Sequence, residues 1–470
     1  MVTRHPSNDN VQASSAGNEH TESADPSFVI VSGGTGCNAI CSAFSNACYV
    51  LPVSDDGGSS SEIIRVLGGP SIGDIRSRLV RLIPPAPPGS PLDALRILLA
   101  YRLPVGAAAR DEWRAIVEGK SPLWNGVPND RKEAIRGFLV YFENEVLRRA
   151  HKSFSFVNGS IGNYFLAASQ GFFRSLPSAI FLFSSITSSQ ANILPVIVTN
   201  HIVTIAAELN NGAKLIGQCE ISHPVPRITF NPEEVTRTDH TGGENTEDDF
   251  DVMSPTGDAD GDGGEGSILP RNQNVMFSAT SKDNHEEEEL EAPISRLYYI
   301  NSYGHEIHPS PNPDYIKSLA RNEVLVYSCG SLWTSIIPCL ALRGVSTAIA
   351  RSHSLRAKVL FLNSKNDRET TGYTAVDYIQ AIVRTLNARY QVEPYGLARG
   401  NAATLYPVSA FITHLVYIRG TTVKVDVRKI ADMGVRCIEV ESSSRSSSGT
   451  PVYDAECART AVDEVLSSVT

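Results

Sequence analysis

The stretch "FVIVSGGTG", residues 28–36, decides the fold. Phe28 to Val31 form a short apolar run that ends at once on Ser32-Gly33-Gly34-Thr35-Gly36. Such a run reads as a buried strand, and a strand that stops on glycines is the first half of a parallel-sheet unit. The small residues from Cys37 to Ala47 are predicted to form its helix. Tyr49 to Val53 reads as a second strand, ended by "SDDGGSSSE" (54–62). Ser71-Ile72-Gly73-Asp74 looks like a cap leading into a helix over Ile75 to Ile83, which the run "IPPAPPG" (83–89) stops. The N-terminal part thus repeats strand, loop and helix. The expected class is α/β, a Rossmann-like and mostly parallel sheet with helical additions, a β-hairpin region and a disordered acidic insertion.

Working outward, "DALRILLAYRL" and "DRKEAIRGFLVYFENEVLRRA" place apolar residues at three- and four-residue spacing, so residues 91–150 are predicted helical. A helix from Asn163 to Gln170 follows "NGSIGN". Residues 202–222 read as a hairpin turning at Asn210-Asn211-Gly212. "SRLYYI", "VLVYS" (324–328) and "AKVLFLNS" (357–364) read as strands, the second opening a helix at Cys329-Gly330-Ser331-Leu332. The polar loop Lys365 to Gly372 leads into the helix "TAVDYIQAIVRTL". A late hairpin, "THLVYI" with "TTVKVDV" around Arg419-Gly420, and a terminal helix from Asp454 to Leu466 close the chain.

At 470 residues the chain exceeds what one compact core needs, so insertions are expected, and 41% apolar residues suffice for a sizeable core. The expected division is a disordered tail (1–27), one nucleotide-binding α/β domain (28–225 and 295–470), and an acidic low-complexity insertion (226–294). Between Glu233 and Glu291 stand 18 Asp or Glu against three Lys or Arg, so a formal charge of −10 hides a mildly basic remainder of about +5. That remainder suits a phosphorylated small ligand and is too weak and unclustered for nucleic acid. No run approaches the length of a membrane span. The tail carries no apolar signal core and four acidic residues (Asp9, Glu19, Glu22, Asp25), so a cytoplasmic chain is expected. Eight cysteines contain no C-x-x-C pair and read as free thiols in a reducing compartment. "DADGDGGEGSIL" (258–269) has calcium-loop acids at Asp258, Asp260 and Asp262, but Leu269 stands where a bidentate Glu is needed, so it reads as acidic loop.

Three strands end in loops of Gly, Ser, Thr, Asn or Asp. Glycine lets backbone amides approach phosphate oxygens, and a following helix start favours an anion. Gly33, Gly34, Thr35 and Gly36 meet that description, against the plainer reading of a tight turn whose glycines only relieve sterics. There is no P-loop lysine and no G-x-G-x-x-G spacing. Asp55, Asp56 and Asp74 exceed what helix capping needs. Three carboxylates beside a phosphate cradle suggest a divalent metal such as Mg2+, or a carboxylate accepting from a ribose or base.

Seven motifs occur in order: "VSGGTGCNAI", "PVSDDGGSSSEIIRVLGGPSIGDIRSRLVRL", "NGSIGNYFLAA", "LPVIVTN", "AAELNNGAKLIGQCEI", "NPDYIKSLARNEVLVYSCGSLWTSIIPCLALRGV" and "NSKNDRETTGYTAVDYI". Together they resemble the CofD/YvcK superfamily. Its members include 2-phospho-L-lactate transferases, which build a deazaflavin coenzyme, and the YvcK group, nucleotide-sugar-binding proteins linked to carbon metabolism. The resemblance implies that Gly33 to Gly36 cradle a diphosphate and that Asp55, Asp56 and Asp74 hold metal or ribose, with Asp56 and Asp74 the metal ligands and catalytic candidates. It implies that Ser160, Gly162 and Asn163 contact the ligand from a helix start and that Gly330, Ser331 and Thr334 form a second anion nest. Asn363, Thr370, Gly372 and Tyr373 would line the far wall. Arg76 would neutralise phosphate, while Arg78 and Arg81 read as surface charges. Where transferases carry a second Asp in a "PDLD" motif, this chain has Arg76, and the wording "GGTG", "DDGGSS" and "GDIR" is closer to the YvcK branch. The implied function is a nucleotide- or UDP-sugar-binding protein with a regulatory role in carbon metabolism. The alternative is a Mg2+-dependent transferase moving a phospho-acid group from a nucleoside-diphosphate-linked donor to an acceptor hydroxyl. A homo-oligomer and a protein partner for the insertion stay open.

Overall fold

The computed structural model describes residues 26–224, 289–388 and 405–469. The tail, the acidic insertion and its calcium-loop segment lie almost wholly outside them. The strands are β1 Phe28–Val31, β2 Ala47–Leu51, β3 Asn192–Pro195, β4 Thr204–Leu209, β5 Lys214–Ile216, β6 Ile294–Ile300, β7 Glu306–Ile307, β8 Val324–Tyr327, β9 Ala357–Phe361, β10 His414–Ile418 and β11 Arg436–Val440. Seven of them form one sheet in the order β11-β10-β9-β8-β1-β2-β3. Every pairing in it is parallel. Phe28 sits opposite Ala47 on one side and Val324 on the other. β1, β8 and β9 are buried along their whole length, which is why they read as unbroken apolar runs instead of alternating ones. From β1 the chain steps to one edge through β2 and β3; from β8 it steps to the other through β9, β10 and β11. The reversal falls between β1 and β8, and ligands of open α/β sheets bind at such a switch point, beyond the carboxyl ends of the strands.

A second, antiparallel sheet has the order β5-β4-β6-β7. Its β4–β5 hairpin turns at Gly212, whose φ of +85° only glycine adopts without strain. The hairpin ends at Ile216, and Gln218–Ser222 is instead a short helix.

Between β2 and β3 lie seven helices, including Gly58–Leu67, Gly73–Arg81, Asn129–Leu147 and Ile161–Phe173. Asn129–Leu147 buries Ile135, Leu139, Phe142 and Val146, the three- and four-residue spacing that makes one apolar stripe. Phe142 stacks on Tyr164 of the next long helix at 4.5 Å between ring centroids, and Trp113 stacks on Phe156 at 5.1 Å.

Two expected elements differ. Cys37 to Ala47 is not a helix but a set of turns with a single 3-10 turn at Cys41–Ala43, because β2 already begins at Ala47. The few residues between adjacent parallel strands are used to reverse the chain, with Asn46 at φ +48°. The late hairpin is absent: β10 pairs in parallel with β11, reached through the helix Val427–Asp432. The segment after Gly420 instead turns back, with Thr422 N donating to Ser364 O and Lys424 O accepting from Ala375 N. All eight cysteines are free thiols, as expected.

Candidate functional site

The loops after β1, β2 and β8 meet at the switch point, and close contact explains their glycines. A Cβ at Gly34 would lie 2.5 Å from Asp74 Oδ1 and 2.7 Å from Asp74 Cα. One at Gly33 would lie 2.3 Å from Ser335 Oγ, and one at Gly36 2.6 Å from the Cys329 carbonyl oxygen. The first strand's loop is therefore clamped between the start of the Gly73–Arg81 helix and the loop after β8. Thr35 and Gly36 are its exposed tip. Arg78 is fully buried, not a surface charge: it donates to the Gly33 carbonyl (3.0 Å), to Ser32 Oγ (3.2 Å) and to Cys41 Sγ. Arg81 does lie at the surface, on the Asn38 carbonyl.

Of the amides expected to cradle an anion, those of Gly34 and Thr334 are taken by carboxylates. Asp55 accepts from Gly57 N at 3.0 Å. Asp74 accepts from the Gly34 amide. Asp56 accepts from Cys219 N at 2.8 Å and so caps the Gln218–Ser222 helix; a Cβ at Gly217 (φ +90°) would lie 2.2 Å from its other oxygen. Glu369 accepts from Trp333 N at 2.9 Å and Thr334 N at 3.1 Å, and from the hydroxyls of Thr334 and Ser222. Of the nest expected from Gly330, Ser331 and Thr334, the Thr334 amide is taken by Glu369 and the Gly330 amide by Asn363.

Burial pushes the Asp55 carboxyl up to about 8, and the neighbouring Asp74 charge adds to the rise against the Gly57 amide. Burial also lifts Asp74 to about 6, opposed by the Gly34 amide, Arg78 and Arg76. Asp56 is raised by burial too, against the Cys219 amide. Glu369 is pushed up to about 7 by burial and then by Asp367. Arg76 is lowered to about 10 by burial and then by Arg102 beside it, with Asp55 and Asp74 pulling the other way.

Asp55, Asp74 and Arg76 therefore form one electrostatic unit, while Asp56 points aside toward the hairpin. Among the described residues no group of three His, Cys, Asp or Glu side chains is arranged to hold a metal ion. A cation such as Mg2+ would have the Asp55 and Asp74 carboxylates as its protein donors and would need further oxygens from a ligand or water.

Asn163 knits this unit to the Ile161–Phe173 helix: its Oδ1 accepts from Arg76 Nε at 3.1 Å and its Nδ2 donates to Ser59 Oγ at 2.9 Å. Ser160 is that helix's N-cap, accepting from Asn163 N at 3.4 Å. Gly162 gives Arg76 room, since a Cβ there would lie 3.1 Å from its Cγ and Cδ and 2.4 Å from the Leu99 carbonyl oxygen. Asn363 holds both backbone groups of Gly330, each at 2.8 Å, and fixes it at φ +132°. Thr370 is buried and bonded to Asp367 (2.7 Å) and Tyr378 (3.0 Å), a loop-fixing role. Gly372 is exposed, and the Tyr373 hydroxyl accepts from Trp333 Nε1 at 3.3 Å while its ring packs edge-on against Tyr378. Both line a separate surface pocket with Asp377, Gln380 and Arg384. Ser331 precedes the π-wound turn Leu332–Ile336 and makes no side-chain cap. Glu369, Arg102, Ser59 and Ser222 were not foreseen; only the tertiary fold brings them to the expected loops.

These features define an open α/β protein of the doubly wound kind with a polar switch-point site. The family model described as 2-phospho-L-lactate transferase CofD matches residues 28–443. The chain belongs to this family. An uncharacterized protein of Saccharomyces cerevisiae is 34% identical over 449 residues, covering 89% of this chain and 96% of its own. A Thermotoga maritima protein carrying the provisional name gluconeogenesis factor is 21% identical over 363 residues, 76% of this chain and 74% of its own. A crystal structure of a Bacillus halodurans protein superposes with a TM-score of 0.56 at 18% identity, covering 93% of this chain and 99% of that one, a likeness of fold.

Proposed function

We propose that the chain binds a nucleotide or nucleotide-sugar diphosphate at the switch point and serves a regulatory role in carbon metabolism, in the cytoplasm. The observation that carries the reading is the Asp55, Asp74 and Arg76 unit, half-buried beyond the carboxyl ends of β1 and β2. Two carboxyls raised by burial beside an arginine are costly for a fold to keep and suit a phosphorylated ligand, with or without its cation. The gluconeogenesis-factor name of the bacterial relatives supports the regulatory half.

The transferase alternative draws on the same carboxylates and on the family's description. In it, Asp55 and Asp74 would hold Mg2+, which supplies charge neutralisation on the transferred group. Arg76 and Asn163 would orient the donor. No histidine lies among these residues to act as nucleophile, so transfer would be direct.

Calorimetric titration with UDP-sugars, UDP, GDP and GTP, each with Mg2+ and with EDTA, tests the proposal. Binding of a UDP-sugar without turnover supports the regulatory reading. Mg2+-dependent GDP binding supports the transferase. No binding of any nucleotide refutes both.

A further inference from the structure

A cavity of about 170 Å3 lies further along the Ile161–Phe173 helix, between it, the Asn129–Leu147 helix and the end of Gly58–Leu67. None of the residues placed at the switch point lines it. Its floor is apolar, made by Ile63, Leu67, Phe142 and Ala167. Gln170 lines it too; this residue is only 9% exposed, and its amide makes no hydrogen bond among the described residues. The amide packs against Gly69, where a Cβ would lie 3.4 Å from Nε2 and 3.8 Å from Oε1. Arg174 lines the cavity from an exposed position, and its guanidinium makes no ion pair or hydrogen bond among the described residues. Its backbone is left-handed, at φ +53°, where the helix ends, a conformation that glycine favours. Asn200 holds it there, with Nδ2 donating to the Arg174 carbonyl at 2.9 Å. Glu145, the one acid in the lining, already accepts from Arg148 and Arg149 at 2.8 and 2.7 Å. The unmatched charge of the lining is therefore that of Arg174.

We propose that this cavity is a second ligand site, for a small monocarboxylate that carries a hydroxyl or carbonyl group, with its carboxylate on Arg174 and its other oxygen on the Gln170 amide. A buried amide left unpaired is costly and rare in folded proteins, and a guest that bonds it removes that cost. Glycine would end the helix with less strain, so an arginine kept in that conformation is accounted for when its side chain has a use. One unmatched guanidinium calls for one negative charge. A carboxylate fits its fork, whereas a dianion would be left half-neutralised beside Glu145. The volume admits roughly six to ten heavy atoms, and the apolar floor suits a short hydrocarbon part. Gly68 and Gly69 line one wall and lead on toward the Gly73–Arg81 helix that carries Asp74, so an occupant bears on the loop before that carboxylate.

The test titrates sodium 3-hydroxybutyrate into the full chain by calorimetry, at constant ionic strength set with NaCl. Saturable binding by the wild type is expected, with the neutral 3-hydroxybutyramide weaker by about tenfold or more. Arg174→Gly is expected to weaken 3-hydroxybutyrate binding by about tenfold or more, yet to melt no lower than wild type, because glycine suits φ +53°. Gln170→Leu is expected to weaken binding in the same way and also to melt no lower, because its amide has no partner in the fold to lose. A residue kept only for structure would show the opposite pattern, lower melting with binding unchanged. No saturable binding by the wild type overturns the site and leaves water as the partner of the amide. Binding that neither substitution weakens overturns it as well. A Gln170→Leu chain that melts well below wild type overturns it too, since the amide would then be bonded within the fold. None of these outcomes depends on whether a nucleotide binds at the switch point.

Discussion

Asp55→Asn is the most informative single change. The Asp55 carboxyl titrates at about 8 in the fold against 3.8 ordinarily. Between those two values the folded chain keeps a proton that the unfolded chain has released. The stability held by this group is therefore complete below pH 4 and lost as pH rises through 8. At about 1.4 kcal/mol per unit the full penalty approaches ~6 kcal/mol. About half of it is expected to be relieved in practice, because Asp74 and the surrounding loop share the strain, leaving ~2–3 kcal/mol. Asparagine keeps the oxygen that accepts from Gly57 N and carries no charge. In EDTA at pH 8, Asp55→Asn should therefore melt higher than wild type by about 2–3 °C for a chain of this size. The gap should close as pH approaches 4. Thermal melts followed by circular dichroism from pH 4 to 8.5 read both. Mg2+ with nucleotide should stabilise the wild type at pH 8 and lose that effect in the variant. A variant that melts at or below the wild type at pH 8 would show that the carboxyl is ionised and satisfied in the fold, and the electrostatic argument would collapse.

Gly34→Ala brings a methyl group within 2.5 Å of Asp74 Oδ1 and 2.7 Å of its Cα, with backbone on the receiving side, so a loss of about 1–3 kcal/mol is expected in urea unfolding, with nucleotide binding lost. Glu369→Ala removes the acceptor from two buried amides and two hydroxyls and should cost about 3 kcal/mol or more, whereas Glu369→Gln, which keeps one carbonyl oxygen for the amides, should cost markedly less. Asn363→Ala frees both backbone groups of Gly330 and should cost about 2 kcal/mol; hydrogen exchange should then rise at Gly330 before anywhere in β8.

β1, β2, β8 and β9 were legible because a fully buried parallel strand is an apolar run, and each one here ends on loop-forming residues. The helix Gly58–Leu67 was not, since "GGSSSE" carries the composition of a loop while its buried face comes mainly from Ile63 and Val66 further along. The alternation in "TTVKVDV" resembles a strand, yet pairing is decided by neighbours, and Thr422 and Lys424 find theirs in the segment from Ser364 to Ala375. In the site, the glycine loops and Asp55 and Asp74 could be read because residue type alone marks them. Arg78 looked like one of several surface charges on its helix, and nothing local reveals that it faces Cys41 and Gly33. Glu369 sits in the polar run "KNDRETTG", which reads as solvated; only the packing of that loop over Trp333 and Thr334 makes it a buried acceptor.

β1 sits between β2, its near neighbour in sequence, and β8, whose Val324 faces Phe28 from 296 positions further along the chain. During synthesis the central strand must wait with one edge open until most of the polypeptide has left the ribosome. At the usual pace of elongation that is a delay of roughly 15–60 s, long for an unpaired apolar strand. The clamp on Gly36 by Cys329 and Gly330 belongs to that last pairing, so a nascent chain stopped short of β8 would have neither a closed sheet nor a completed site. A nucleotide would then act as a ligand of the finished protein only, and chaperone dependence of its yield would rest on β1 more than on any helix.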